Sequence, residues 1–220
     1  MAVVDSVLVR AQRLWEELAG GRFPAAGLTR VIENGASRLC PAGWAGIVRL
    51  QDSVLATAPT TAAAELLQRT LDPAALPVLE QLGPAELAYV AGPPTFAAGA
   101  VAWADQAELS QLVAAVPPDD ADESGIHGLQ RAAVIRQDGR IVAAAGWALW
   151  PTQVAHLCVL SLPAVRGRGL ATEVAAAATA DALRAGLLPQ WRARVGASQR
   201  VAAKLGYRVL GEQVSLRLAI

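Results

Sequence analysis

Apolar residues recur along this chain with two periods, and the switches between them mark out its elements. Helical spacing predicts helices over about residues 3–19, 25–38, 61–71 and 74–82, the first amphipathic and carrying Arg10, Arg13, Glu16 and Glu17. A strand pair is predicted over about 45–57 and a further strand over 85–90. The stretch Ala91 to Gly99, with Gly92, Pro93 and Pro94, has no periodicity and reads as a boundary. Beyond it come a helix near 106–116, a Pro- and Asp-rich loop from Pro117 to Gly125, and a hairpin over 132–147 that turns at Asp138-Gly139, the strongest hairpin signal in the chain. A continuous apolar strand, Val154 to Leu162, ends at Pro163. A helix of strong formers runs from Leu170 to Ala185 and is closed by Gly186, followed by a strand over 187–194 and a short helix over 197–205.

Between the apolar strand and the Ala-rich helix lies Pro163-Ala-Val-Arg-Gly-Arg-Gly-Leu-Ala-Thr172. Gly167 and Gly169 can adopt backbone angles closed to other residues, and they remove the side chains that would keep an anion from the backbone. The helix that follows points free N–H groups at the same spot, so the turn suits a phosphate. Two other phosphate loops are excluded by residue type. There is no G-x-x-x-x-G-K-[ST], and Lys204, the single lysine of the chain, lies far downstream. The dinucleotide fingerprint lacks its third glycine, and the next strand ends Arg192-Ala-Arg194 where an acidic residue is required.

Composition narrows the class. With 54% hydrophobic and 17% charged residues the chain is a folded protein rather than a disordered one. Cys40 and Cys158 sit in apolar surroundings without a C-x-x-C or a nearby histidine pair, which argues against a disulfide framework and against a metal site. No export signal or bilayer-length apolar stretch is visible, so a cytoplasmic protein that does not bind membranes is expected. A net charge of zero likewise argues against nucleic acid as a partner. The distribution is uneven, however. From Pro163 to Leu210 eight basic residues face two acidic ones, a field suited to a ligand with several phosphates, whereas Asp105 to Glu123 holds six acidic residues and no basic one. That acidic run, Asp122 and Glu123 included, can rim a pocket for a cationic amine, or serve only as helix caps and a solvated loop.

Arg166-x-x-Gly169-x-Ala171 behind a Pro-terminated strand resembles the acyl-CoA-binding signature of the GNAT acetyltransferase superfamily. The likeness extends through the strand 187–194 and the helix 197–205 to Gly206-Tyr207, and covers about residues 105–220. It implies an α/β (α+β) fold, a mixed and mostly antiparallel sheet flanked by helices. The domains expected are a GNAT domain over 99–220 and a helix-rich N-terminal domain over 1–98. The latter is a candidate degenerate GNAT-like repeat, because Ile47 to Thr57 echoes the cadence of Val134 to Ala144.

The resemblance also implies the site. Acetyl-CoA, with no metal, would enter between the strand before the turn and the strand after the helix. Backbone amides of Val159, Leu160 and Ser161 would hold its thioester and pantetheine, and a strand N–H would stabilise charge on the thioester. Those of Gly167, Arg168, Gly169, Leu170, Ala171 and Thr172 would hold its pyrophosphate, with the guanidiniums of Arg166 and Arg168 nearby. Ser198 matches the family's serine in the following helix. The pattern then departs: Val195 stands where many members have asparagine, and Ala202 where many have a tyrosine acid, while Tyr207 matches an aromatic residue that packs. No general acid is assigned. His156 is the candidate base, titrating near neutral pH, with a buried structural histidine as the alternative. Glu123, His127 and Trp150, with Asp122, are the candidate acceptor-pocket residues, and Trp147 is a further wall candidate, although core packing also accounts for both tryptophans. The function implied is N-acetylation of a small-molecule or peptide amine. The alternatives are a non-catalytic acyl-CoA-binding sensor or regulatory protein and a purely structural domain. A homodimer is compatible with all three.

Overall fold

The computed structural model describes residues 6–96, 99 and 101–220. By internal packing the chain falls into two units, Met1–Ala88 with Val209–Ile220, and Tyr89–Arg208. The boundary expected at 98/99 lies inside the second unit, and residue 98 is outside the described residues, as are residues 3–5 of the first expected helix.

The first unit contains α1 (Ser6–Ala19), β1 (Thr29–Glu33), β2 (Ala45–Leu50), β3 (Ser53–Ala58), α2 (Thr61–Arg69) and β4 (Val78–Tyr89), whose last residue, Tyr89, already belongs to the second unit. The second contains β5 (Ala102–Asp105), α3 (Gln106–Ala114), α4 (Pro118–Ser124), β6 (Arg131–Gln137), β7 (Arg140–Trp150), β8 (Val154–Ser161), α5 (Leu170–Arg184), β9 (Leu188–Ala193) and α6 (Gly196–Lys204). The final strand, β10 (Arg208–Leu218), runs antiparallel to β2 in the first unit.

In the first unit β2 and β3 form a hairpin, and β1 adds to β3 in parallel. The expected helix over 25–38 is therefore a correction: β-branched Thr29, Val31 and Ile32 suit a strand, which β3 supplies with its ladder. The expected helix over 74–82 is likewise replaced by a short 3₁₀ turn, Pro73–Ala75, and the first half of β4. On one face of the sheet α2 buries Ala63, Ala64 and Leu67 against Ala45, Ile47, Ala56 and Leu216. Truncating a fully buried leucine such as Leu67 to alanine costs about 2–5 kcal/mol.

In the second unit β5 to β8 are antiparallel neighbours, and β9 joins β8 in parallel. The β6–β7 hairpin turns at Asp138 and Gly139, both left-handed (φ 50° and 76°), as the dipeptide predicts. Its counterpart β2–β3 is also a two-residue hairpin with a left-handed first residue, Gln51 (φ 52°), which is the physical content of the echo between the two segments. Alternation along β8 assigns its two faces. Cys158 and Leu160 pack with Leu109 and Leu112 of α3 and with Ile126, while Ala155 packs with Ala182 of α5. The buried face of α5 is Val174, Ala175, Ala178 and Ala182, small residues that let the helix lie close to the strands. Residues Pro118–Ser124, expected as loop, form the helix α4: Pro118 sits in the first turn with Asp119 and Asp120, and Gly125 closes it with φ 64°.

Candidate active site

The site begins where two parallel strands part. β8 and β9 pair at Val154↔Leu188, Ala155↔Pro189 and His156↔Gln190, and then run on to Ser161 and Ala193. Along the other edge of β8, Leu162 N–H donates to Val142 O at 2.9 Å. Period-two alternation then turns the Leu160 N–H toward β7 as well, and those of Val159 and Ser161 toward the side of β9. Of the three amides expected to hold a thioester, those of Val159 and Ser161 face the opening, while the Leu160 N–H turns toward β7, although Leu160 too lines the cavity. Side chains from both strands line a cavity of ≈ 400 Å³ at this point, within the usual size range of ligand sites.

The near wall of the cavity is the glycine turn. Gly167 and Gly169 have φ 80° and 83°, left-handed angles that disfavour any side chain. A Cβ built on either would meet no atom within 4 Å, so the turn encloses space rather than protein. Gly169 is the N-cap of α5 and offers no side-chain acceptor to the first turn. The Thr172 N–H is a correction: it donates to Gly169 O at 2.9 Å and is committed to the helix. Gly167, Gly169, Leu170, Ala171 and Thr172 line the cavity, as does Arg166, whereas Arg168 lies outside the lining.

The far wall comes from β9 and α6. Trp191 Nε1–H donates to Ser198 Oγ at 2.9 Å, fixing the first turn of a helix whose N-cap, Val195, also has no side-chain acceptor. Arg194, Arg200 and Lys204 add positive charge to this wall. Across the opening lies α4, whose Asp120 and Glu123 are one turn apart. Asp120 accepts from Arg166 at 2.7 Å, and Glu123 accepts from Arg194 through both carboxylate oxygens, with Nε to Oε1 at 2.9 Å. One helix thus reaches both walls by ion pairs. The two carboxylates that line the cavity are both held by arginines, and exposed Asp122 lies outside the lining. The acidic run therefore does not bring an unpaired carboxylate to the cavity among the described residues.

His156 lines the cavity at the last β8–β9 pair. Its ring stacks on Trp150 with centroids 4.3 Å apart, and its Nδ1 lies 3.0 Å from Gln190 Oε1. Burial, seconded by the charge of Arg192, lowers its pKa to about 4, against the opposing influence of Gln190 and Glu123. The expected titration near neutral pH is corrected accordingly: the imidazole is neutral throughout that range. Trp150 supports this ring without lining the cavity, and exposed His127 also lies outside the lining, its carbonyl accepting from Gln106. Trp147 donates to Asp181 of α5 at 3.1 Å, a packing role. Tyr207 OH bonds to Thr179 Oγ1 at 2.9 Å in the core, where burial raises its pKa, so it does not replace the acid missing at Ala202. Gln190 and Trp191 were not among the residues singled out from the sequence, and Asp120 entered only as a member of the acidic run, not as a partner of Arg166. Uncharged or acidic, they carry no phosphate-binding signal, and only the strand register and the helix α4 bring them to the site.

Residues 131–214 match the GNAT acetyltransferase family. Among solved structures, a GNAT-family protein from Novosphingobium aromaticivorans is similar at 23% identity over 63% of this chain and 65% of its own, with a TM-score of 0.50. An acetyltransferase of the same family from Colwellia psychrerythraea is similar at 18% identity over 72% of this chain and 63% of its own (TM-score 0.52). A GCN5-related N-acetyltransferase from Kribbella flavida is similar at 23% identity over 74% of this chain and 67% of its own (TM-score 0.52). The likeness to all three is one of fold. This chain spans 65% and 63% of the length of the first two. No curated protein matches it. No helix among the described residues is long and apolar enough to cross a membrane.

Proposed function

We propose that this chain, whose residues 131–214 match the GNAT acetyltransferase family, transfers an acetyl group from acetyl-CoA to the amine of a small molecule or peptide. The observation that carries this reading is the open glycine turn at the start of α5, placed beside the point where β8 and β9 separate. The donor set fits a polyanionic thioester. The amides of Gly167, Arg168, Gly169, Leu170 and Ala171 precede or open the helix, whose positive end favours an anion. Arg166, Arg200 and Lys204 supply charge around it. Val159 and Ser161 present N–H groups toward the opening, where one of them would hold the thioester oxygen.

Acetyl-CoA supplies the activated acyl group when bound. The chain's own part is to align an amine with that group, exclude water and take up a proton. Holding two reactants in one cavity is itself a large contribution to rate. His156 presents a neutral imidazole that accepts the proton shed as the amine attacks. A low pKa is no obstacle, because the attacking nitrogen becomes strongly acidic once it carries positive charge, and the imidazole is already unprotonated at pH 7.

A second reading, a non-catalytic acyl-CoA-binding sensor, is favoured by one observation: the family's tyrosine position is Ala202, and the nearby Tyr207 hydroxyl is engaged by Thr179. Two steps separate the readings. Acetyl-CoA is tested first for stabilisation of the full chain, and CoA release is then followed with a panel of amines. Binding with amine-dependent release supports the transferase, binding without release supports the sensor, and absence of binding removes both.

A further inference from the structure

His156 and Gln190 are register partners on neighbouring parallel strands, so their side chains rise from the same face of the sheet, at the last pair before the strands separate. Gln190 is fully buried, and a buried primary amide must place both its carbonyl and its NH₂. It does so in two directions. Oε1 lies 3.0 Å from His156 Nδ1, and Nε2 donates to the hydroxyl of Tyr89 at 3.3 Å. Tyr89 is itself 1% exposed, and the N–H of the next residue, Val90, donates to Pro189 O beside Gln190. With its NH₂ on Tyr89, the amide turns its carbonyl to the imidazole, and in that orientation Nδ1 is the ring nitrogen that carries the proton. Trp150 stacks on the ring at 18° and fixes its plane.

We propose that Gln190, held by Tyr89, is a positioning residue that keeps His156 in the Nδ1–H tautomer and leaves the Nε2 lone pair to the cavity. The chemical consequence rests on the acetyl-transfer reading; the tautomer itself does not. A carboxylate in the place of Gln190 would orient the ring equally well but would stabilise the imidazolium and raise its pKa. A neutral amide orients without adding charge. The charges that face the ring are Arg192 of β9, which opposes protonation, and Glu123 of α4, which favours it and is already engaged by Arg194. The arrangement therefore keeps one ring nitrogen protonated and the other available over the whole neutral range.

The test is the ¹⁵N spectrum of the histidine rings in the labelled full chain. His127 and His156 are its two histidines, and a His127→Gln variant assigns the signals. The expected wild-type spectrum near pH 7.5 shows a protonated Nδ1 and an unprotonated Nε2 for His156. Gln190→Leu should release the ring and move the proton to Nε2, and Tyr89→Phe should give a mixture, because the amide NH₂ loses its partner. In turnover, Gln190→Leu should lower kcat about 10- to 100-fold, as for outer partners of functional histidines, while leaving the KM for acetyl-CoA unchanged. Gln190→Glu should restore the orientation and introduce an acid limb into the pH profile near neutrality. A wild-type ring protonated on Nε2, or a Gln190→Leu ring that keeps its tautomer, overturns the proposal. Should Gln190→Leu fail to fold, the wild-type and Tyr89→Phe spectra still decide it. A protein with the expected spectrum but no turnover would refute the acetyl-transfer reading and leave the tautomer assignment standing.

Discussion

The chain makes the same passage twice, from a buried strand into a helix, and closes it in two different ways. After β3, Thr60 caps α2: its side-chain oxygen accepts from Ala63 N–H at 3.3 Å, and the turn is only Pro59-Thr60. After β8 the passage runs from Leu162 to Gly169, contains two left-handed glycines, and ends in an N-cap with no side chain at all. A helix start leaves free N–H groups that something must satisfy. At α2 the protein satisfies part of that need itself, which makes the end a structural joint. At α5 it leaves the amides open, in a cavity with Arg166, Arg200 and Lys204. α3 is closed like α2, by the reciprocal bonds of Asp105 and Glu108, whereas α6, which also lines the cavity, is open like α5. Among these four helices, the open starts line the cavity and the capped starts contribute no residue to its lining.

The largest effect should appear where the open end meets the chemistry. His156→Gln is expected to lower kcat by a factor of about 10² to 10⁴ while leaving the acetyl-CoA affinity unchanged. A folded variant with wild-type turnover would reduce His156 to a packing residue. The same histidine has a pH signature. Its folded pKa, about 4, lies below the ordinary 6.5, so the unfolded chain binds this proton more readily. Its contribution to stability is complete above about pH 6.5 and is lost as the pH falls toward 4, a loss that His156→Gln should remove from the unfolding curve. Between about pH 6 and 9 no limb of the rate profile should belong to it.

Next in size is the binding energy of the turn. At a hundredfold excess over its dissociation constant, acetyl-CoA should add about 2.7 kcal/mol to the stability of the wild type. Gly169→Asp, which sets a carboxylate in the space now open beside the α5 amides, should remove that gain. A shift that survives the substitution would place the ligand elsewhere.

Thr60→Ala tests the closed end and should cost about 1 kcal/mol of stability, the usual value for a lost cap, with no change in the ligand-induced gain. The smallest effect is expected at Asp120→Asn, which frees Arg166 from its exposed ion pair. Such pairs contribute about 0–1 kcal/mol, so the affinity for acetyl-CoA should rise by no more than about fivefold, and less in high salt. A fall in affinity would mean that Asp120 orders the turn rather than competing for its arginine.

The sequence disclosed those parts of this arrangement that depend on local chemistry. Asp138-Gly139 can make few turns other than the tight one it makes, and Gly167 and Gly169 before an Ala-rich run mark a helix start meant to stay open. The basic field from Pro163 to Leu210 was legible as a field; which of its members reach the cavity was not, since Arg194, Arg200 and Lys204 line it while Arg168 does not. β1 was hidden because its side chains are largely exposed or half-buried, so the stretch shows no clear alternation. Its β-branched residues were the available signal. α4 was hidden by composition, as prolines and aspartates usually mark loops, although Pro118 in the first turn, acids beside it and Gly125 after the last turn together spell a helix. The Gln190–Tyr89 support of His156 had no signal of its own. It depends on which residues of β8 and β9 face each other, and register is a property of the assembled sheet.

The difference between an open and a capped helix start can be measured in one titration. Acetyl-CoA added to the ¹⁵N-labelled full chain should displace the backbone amide signals of Gly167, Arg168, Gly169, Leu170 and Ala171, together with those of Val159 and Ser161, and leave those of Ala62 and Ala63 in the first turn of α2 where they were. Signals of the α5 turn that do not move at saturating ligand, or that move no more than those of α2, would contradict the account.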